Sequence, residues 1–117
     1  MYEPTTNNSH LDDNYMDENC RRDIASAAIT GYTPVSKNSF MQVRPYNSDD
    51  PVHGVALHSV ESGEPLVYKT AGLMMLSSIT GTTFAVGKKL GWNGTAWVED
   101  NVNPILEVVY SGVVQII

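Results

Sequence analysis

Three histidines, one cysteine and a few paired carboxylates are the side chains of this sequence best suited to chemistry. His53 and His58 would chelate a metal only from a shared face. They are five apart on a candidate strand, and an odd separation puts them on opposite faces. His10 stands far off in the N-terminal segment. Asp12-Asp-Asn-Tyr-Met-Asp-Glu18 is acidic enough to attract calcium, but it lacks the ligand spacing and the sixth-position glycine of an EF-hand loop. No metal and no cofactor are expected.

Nucleophiles fare no better. Cys20 is the lone thiol. The carboxylates before it disfavour the thiolate, Arg21 and Arg22 favour it, and no histidine is placed to complete a dyad. A Gly-x-Ser-x-Gly elbow is absent. Val86-Gly-Lys-Lys89 lacks the earlier glycine and the Ser/Thr of a phosphate loop. Asp49–Asp50 and Glu99–Asp100 stand in turn-like sequence and read as solvated turn residues. With no residue set able to run a reaction, the chain is not expected to be an enzyme. Trp92 and Trp97 leave one binding chemistry open, a stacking platform for sugars. The competing reading is that at least one of them is core.

These residues must be carried by β structure, because the apolar pattern after residue 51 has no helical period. Val52–Ser59, Leu66–Lys69, Gly72–Leu76, Thr83–Val86, Lys89–Trp92, Ala96–Glu99, Ile105–Tyr110 and Val113–Ile117 read as short strands. Ser62-Gly-Glu-Pro65, Thr80-Gly-Thr82, Asn93-Gly94 and Asn101–Pro104 punctuate them. Asn93-Gly94 predicts a type I′ hairpin turn, with Trp92 and Trp97 paired or diagonal across it. Residues before 51 look different. Residues 1–19 are polar and read as disordered, or ordered only on a partner. Asn19 could cap a short helix over 19–29 that ends at Gly31. Gly31–Asn38 reads as an irregular connector, and Ser39–Arg44 as an extended piece able to add to a neighbour's sheet edge. The fold class predicted is mainly β: a small barrel or sandwich-like lobe over 51–117, preceded by a long polar arm over 1–50 containing at most one short helix.

Charge and size bound the partners. The net charge of −6 is concentrated at the start, where Glu3, Asp12, Asp13, Asp17 and Glu18 precede any basic residue. The remainder holds seven basic and eight acidic side chains. A nucleic-acid partner is disfavoured, because phosphate binding needs a basic patch. No stretch approaches the ~18 apolar residues of a membrane span, and neither a basic n-region nor an apolar run opens the chain. Synthesis in a cytoplasm is expected. A core drawn from about 65 residues supplies only ~3–5 kcal/mol, and one cysteine allows no intrachain disulfide. A partner surface is therefore expected to add buried area.

The segment from Val52 onward resembles the head decoration, or capsid cement, proteins of tailed bacteriophages. Three stretches carry the resemblance: Gly54-Val-Ala-Leu-His-Ser-Val-Glu-Ser-Gly-Glu-Pro-Leu66, Thr70-Ala-Gly-Leu-Met-Met-Leu76 and Phe84-Ala-Val-Gly-Lys-Lys-Leu-Gly-Trp-Asn93. A terminal β run over Val108–Ile117 follows. The resemblance implies a structural virion protein, a homotrimer on the outside of the capsid, clamping neighbouring copies of the major capsid protein. An arm reaching along the shell would contact it through Phe40, Met41 and Val43, with Ile24 and Ile29 as secondary anchors. A host-adhesion module using Trp92 and Trp97, or another small β adaptor, are the alternatives.

Overall fold

The structure, a computed structural model, describes residues 19–75 and 84–117. The acidic stretch before Asn19 and the predicted turn at Thr80–Thr82 lie outside those residues. Ten strands and no helix occur among the described residues. β1 (Cys20–Ala25), β2 (Pro34–Ser39), β3 (Gln42–Pro45), β4 (Gly54–Ala56) and β5 (Pro65–Lys69) close a barrel in the order β1-β3-β2-β4-β5. β6 (Gly72–Met75), β7 (Lys89–Trp92), β8 (Trp97–Glu99), β9 (Leu106–Tyr110) and β10 (Val113–Ile116) form a second sheet in the order β6-β10-β9-β7-β8.

The helix predicted over 19–29 is corrected: its first half is strand β1. β1 runs antiparallel to β5 over five residue pairs, Cys20 with Lys69 through Ile24 with Pro65, and parallel to β3 at Ile24–Gln42 and Ala25–Val43. The physical reason is a period-2 face that the sequence disguises. Asp23 and Ala25 turn inward, whereas Arg22 and Ile24 turn outward, so a carboxylate occupies a core position and an isoleucine a surface one. The predicted connector Gly31–Asn38 is corrected likewise, because Pro34–Ser39 is β2. Its proline sits at the first strand position, where a missing N–H is tolerated. Ser39–Arg44 is the β2–β3 turn and most of β3. Both edges of that hairpin are already paired inside the barrel, so it cannot extend a neighbour's sheet.

The barrel also crosses the predicted boundary at residue 51. β3 and β4 are joined by a tight connection in which Arg44 Nη2 donates to Asp50 Oδ2 at 2.6 Å and the Asp49 N–H donates to Asn47 Oδ1 at 2.9 Å. Pro45–Pro51 is turn chemistry as read, but it is an internal corner of the barrel.

Two apolar clusters fill the protein, and β4 belongs to both. Ala56 joins Ala25, Ile29, Val35, Val43, Val60, Leu66 and Tyr68 inside the barrel. Val55, on the other face, joins Leu57, Met74, Leu90, Trp97, Ile105, Leu106, Val108 and Val114 between the barrel and the second sheet. Gly54 is required where β4 meets β5. A Cβ there would lie 2.4 Å from the Lys69 carbonyl oxygen and 2.7 Å from the Tyr68 ring. The core thus draws on residues from Ala25 onward, a larger base than the sequence pattern alone suggests.

Candidate functional site

Five apolar residues are sequence candidates for an interface, and the structure divides them. Ile29 and Val43 are corrected: both are buried in the barrel core. Ile29 is fixed there by reciprocal backbone hydrogen bonds with Val60. Ile24, Phe40 and Met41 are exposed, by 40%, 87% and 53%.

Those three lie at one end of the barrel. Phe40 and Met41 form the tip of the β2–β3 hairpin, and the Ile24 N–H donates to the Met41 carbonyl at 3.0 Å, tying β1 to the tip. A register shift between Lys37 and Ser39 accommodates the turn. Met41 has φ of 61°, a left-handed conformation costing a non-glycine residue about 1–2 kcal/mol. Ser39 Oγ donates to Gln42 Oε1 at 2.9 Å across the tip. The fold therefore holds two large apolar side chains out in water on a strained turn, where glycine would be easier.

A polar cluster occupies the interior of the same barrel. Tyr68 Oη donates to Asp23 Oδ2 at 2.6 Å in a buried contact. Lys37 Nζ lies 3.8 Å from the same oxygen. Burial pushes the Tyr68 phenol well above its ordinary range; the hydrogen bond to Asp23 and that carboxylate's charge add to the rise, and Arg21 opposes it. The phenol stays a donor, and the buried carboxylate keeps a partner, as a buried charge requires. Sequence reading missed this cluster. Its one signal was Asp23 in a segment otherwise able to form a strand.

The tryptophan pair is where the hairpin reading placed it, but its geometry is wrong for a sugar platform. Trp92 pairs directly with Trp97, with ring centroids 5.2 Å apart and planes at 68°. Trp97 is buried and its Nε1–H donates to the Tyr32 carbonyl at 2.8 Å. Stacking a sugar needs open, roughly coplanar faces, and an edge-to-face pair with one buried ring does not offer them. The turn between them is a four-residue loop instead of the two-residue type I′ turn. Asn93 Oδ1 accepts from the N–H groups of Thr95 and Ala96, and Gly94 takes φ of 105°. His53 and His58 serve as acceptors for the backbone N–H groups of Lys37 and Val67, at 3.2 and 3.0 Å. Cys20 is half-buried at the start of β1 and packs against the inter-sheet cluster.

The model of the phage cement protein family matches residues 21–114, most of the chain. This chain belongs to the phage cement protein family. As a cement protein it is a structural component of the virion that decorates and cements a bacteriophage capsid. Among solved structures it is similar to the N base of the head fiber gp8.5 of bacteriophage phi29, with a TM-score of 0.55 over 84% of this chain and 92% of that one. Sequence identity is 16%, so the likeness concerns the fold. No curated protein matches significantly.

Proposed function

We propose that this cement protein docks on the outer surface of the phage head as a homotrimer and clamps neighbouring major capsid subunits, with Phe40, Met41 and Ile24 as its apolar contact. The observation that carries the reading is the hairpin tip. Two large apolar side chains stand in water on a turn whose backbone is strained to hold them, and such outliers persist where a surrounding function uses them. A role of this kind needs contact area and no reactive group, and we infer a non-catalytic protein made in the host cytoplasm and assembled there. The family resemblance is what supports a trimer.

Binding to expanded empty heads tests the apolar contact. Phe40→Ser and Met41→Gly should each weaken binding and reduce the protection of heads against heat or chaotrope, while the free protein keeps its fold. Unchanged head binding by the double variant would overturn the assignment of the tip. Sedimentation of the free protein and counting of copies on decorated heads test the trimer; single, unassociated copies in both would overturn it.

A further inference from the structure

The barrel also carries a cavity lined by polar side chains. Arg21, Lys37, His53, Tyr68 and Thr70 line an open cavity of about 350 Å³. Arg21 shares its side of β1 with the inward-facing Asp23 and Ala25, and pairs with Tyr68 across the β1–β5 ladder.

The hydrogens around this cavity have a definite direction. Tyr68 has given its O–H to Asp23, and the Thr70 hydroxyl donates to the Asn19 carbonyl at 2.8 Å. His53 Nδ1 accepts the Lys37 N–H, so a neutral ring carries its proton on Nε2. What remains for a ligand is a set of N–H donors: the Arg21 guanidinium, the Lys37 ammonium and His53 Nε2–H. Among the described residues Asp23 is the carboxylate that meets this set, and its Oδ2 already takes the phenol and the lysine. With Arg21 and Lys37 against Asp23, the cluster carries one net positive charge in a chain of net charge −6. Arg21 makes no ion pair among the described residues.

We propose that this cavity receives one carboxylate, from an Asp or Glu side chain of the shell surface against which the protein docks. A guanidinium fork matches a carboxylate with two parallel N–H···O bonds, and one net charge suits a singly charged group. The identity of the donor surface rests on the docking reading above; the chemistry of the cavity does not. Apolar tip and cationic cavity would then divide the work, the tip supplying buried area and the cavity fixing orientation.

Two measurements on the full chain test this. The first is an NMR titration with the α-amides of N-acetylglutamate and N-acetylglutamine, which differ only in the charged group. The glutamate compound should shift the His53 ring and Arg21 Nε signals saturably at millimolar concentration. The glutamine compound should not, and Arg21→Gln should weaken the response at least fivefold. Equal shifts by both compounds, or none by either, would overturn the proposal. The second is binding to expanded heads at low and high salt. Arg21→Gln should weaken binding severalfold at low salt and flatten its salt dependence. Heads bound equally by Arg21→Gln and wild type, but poorly by Phe40→Ser, would overturn the cavity's role and leave the docking reading intact. If wild-type protein does not bind heads at all, the docking reading fails and the titration alone decides the cavity.

Discussion

The barrel and the second sheet solve the same packing problem differently. Between the barrel and the sheet, Met74, Leu90, Leu106, Val108 and Val114 meet Val55 and Leu57, and the fully buried Lys69 stands beside Val55 on β5. The barrel holds a buried carboxylate and a phenol beside its valines, with a partly exposed lysine near the carboxylate. It also displays the exposed hairpin tip and the cationic cavity. The difference teaches a division of labour. The inter-sheet cluster is held mainly by apolar packing, whereas the barrel adds a buried hydrogen-bonded polar pair and, on the docking reading proposed above, carries the features that would face the shell.

The comparison can be broken most forcefully from the sheet side. Leu106→Ala should cost about 2–5 kcal/mol in denaturant unfolding, the range for a fully buried leucine. A loss confined to the sheet, with the barrel still protected from hydrogen exchange, would show that the two regions unfold separately. Gly54→Ala should follow at about 1–3 kcal/mol, because its methyl group meets backbone that cannot swing away; a neutral result would mean that β4 and β5 can part freely. Tyr68→Phe sharpens the contrast. It leaves the Asp23 carboxylate short of a donor and should cost about 1–3 kcal/mol, with the loss appearing in barrel amides. Phe40→Ser should change stability by no more than about 0.5 kcal/mol and reveal itself only in head binding.

The smallest expected effect is one of pH. The N–H groups of Asn103 and Val102 donate to Asp100 and hold its carboxyl below the ordinary value. Its contribution is therefore present above the unfolded-state pKa and fades as pH falls through the lower folded value. Protection of the Val102 and Asn103 amides, relative to their intrinsic exchange rates, should fall below about pH 4, and Asp100→Ala should lack that protection at every pH.

Legibility in the sequence followed the same divide. Most strands after residue 51 are where alternating apolar residues and turn signals put them, with ends within three residues, although the described part of the predicted strand Thr83–Val86 is not a strand. The Trp92–Trp97 pairing was legible too, since both flank Asn93-Gly94. The barrel's first two strands were not, and β3 was legible only as part of the extended piece Ser39–Arg44. β1 hides its period because Asp23 points in and Ile24 points out, and only the distant Tyr68, forty-five residues on, explains why. Ile29 and Val43 looked as available for contact as Phe40. Nothing local distinguishes them, because burial depends on which strand closes over them. The two tryptophans suggested a platform by type, and only the angle between the rings decides otherwise.

Closure of the barrel has one more consequence. Decoration of a capsid would bring copies of a cement protein close together. Open strand edges under such crowding invite runaway pairing from one copy to the next. Here five strands satisfy one another in a ring, and among the described residues the outer strands of the other sheet are three and four residues long. Neighbouring copies are left with side chains as their means of contact. A coat built this way can become dense without the copies fusing into a fibre.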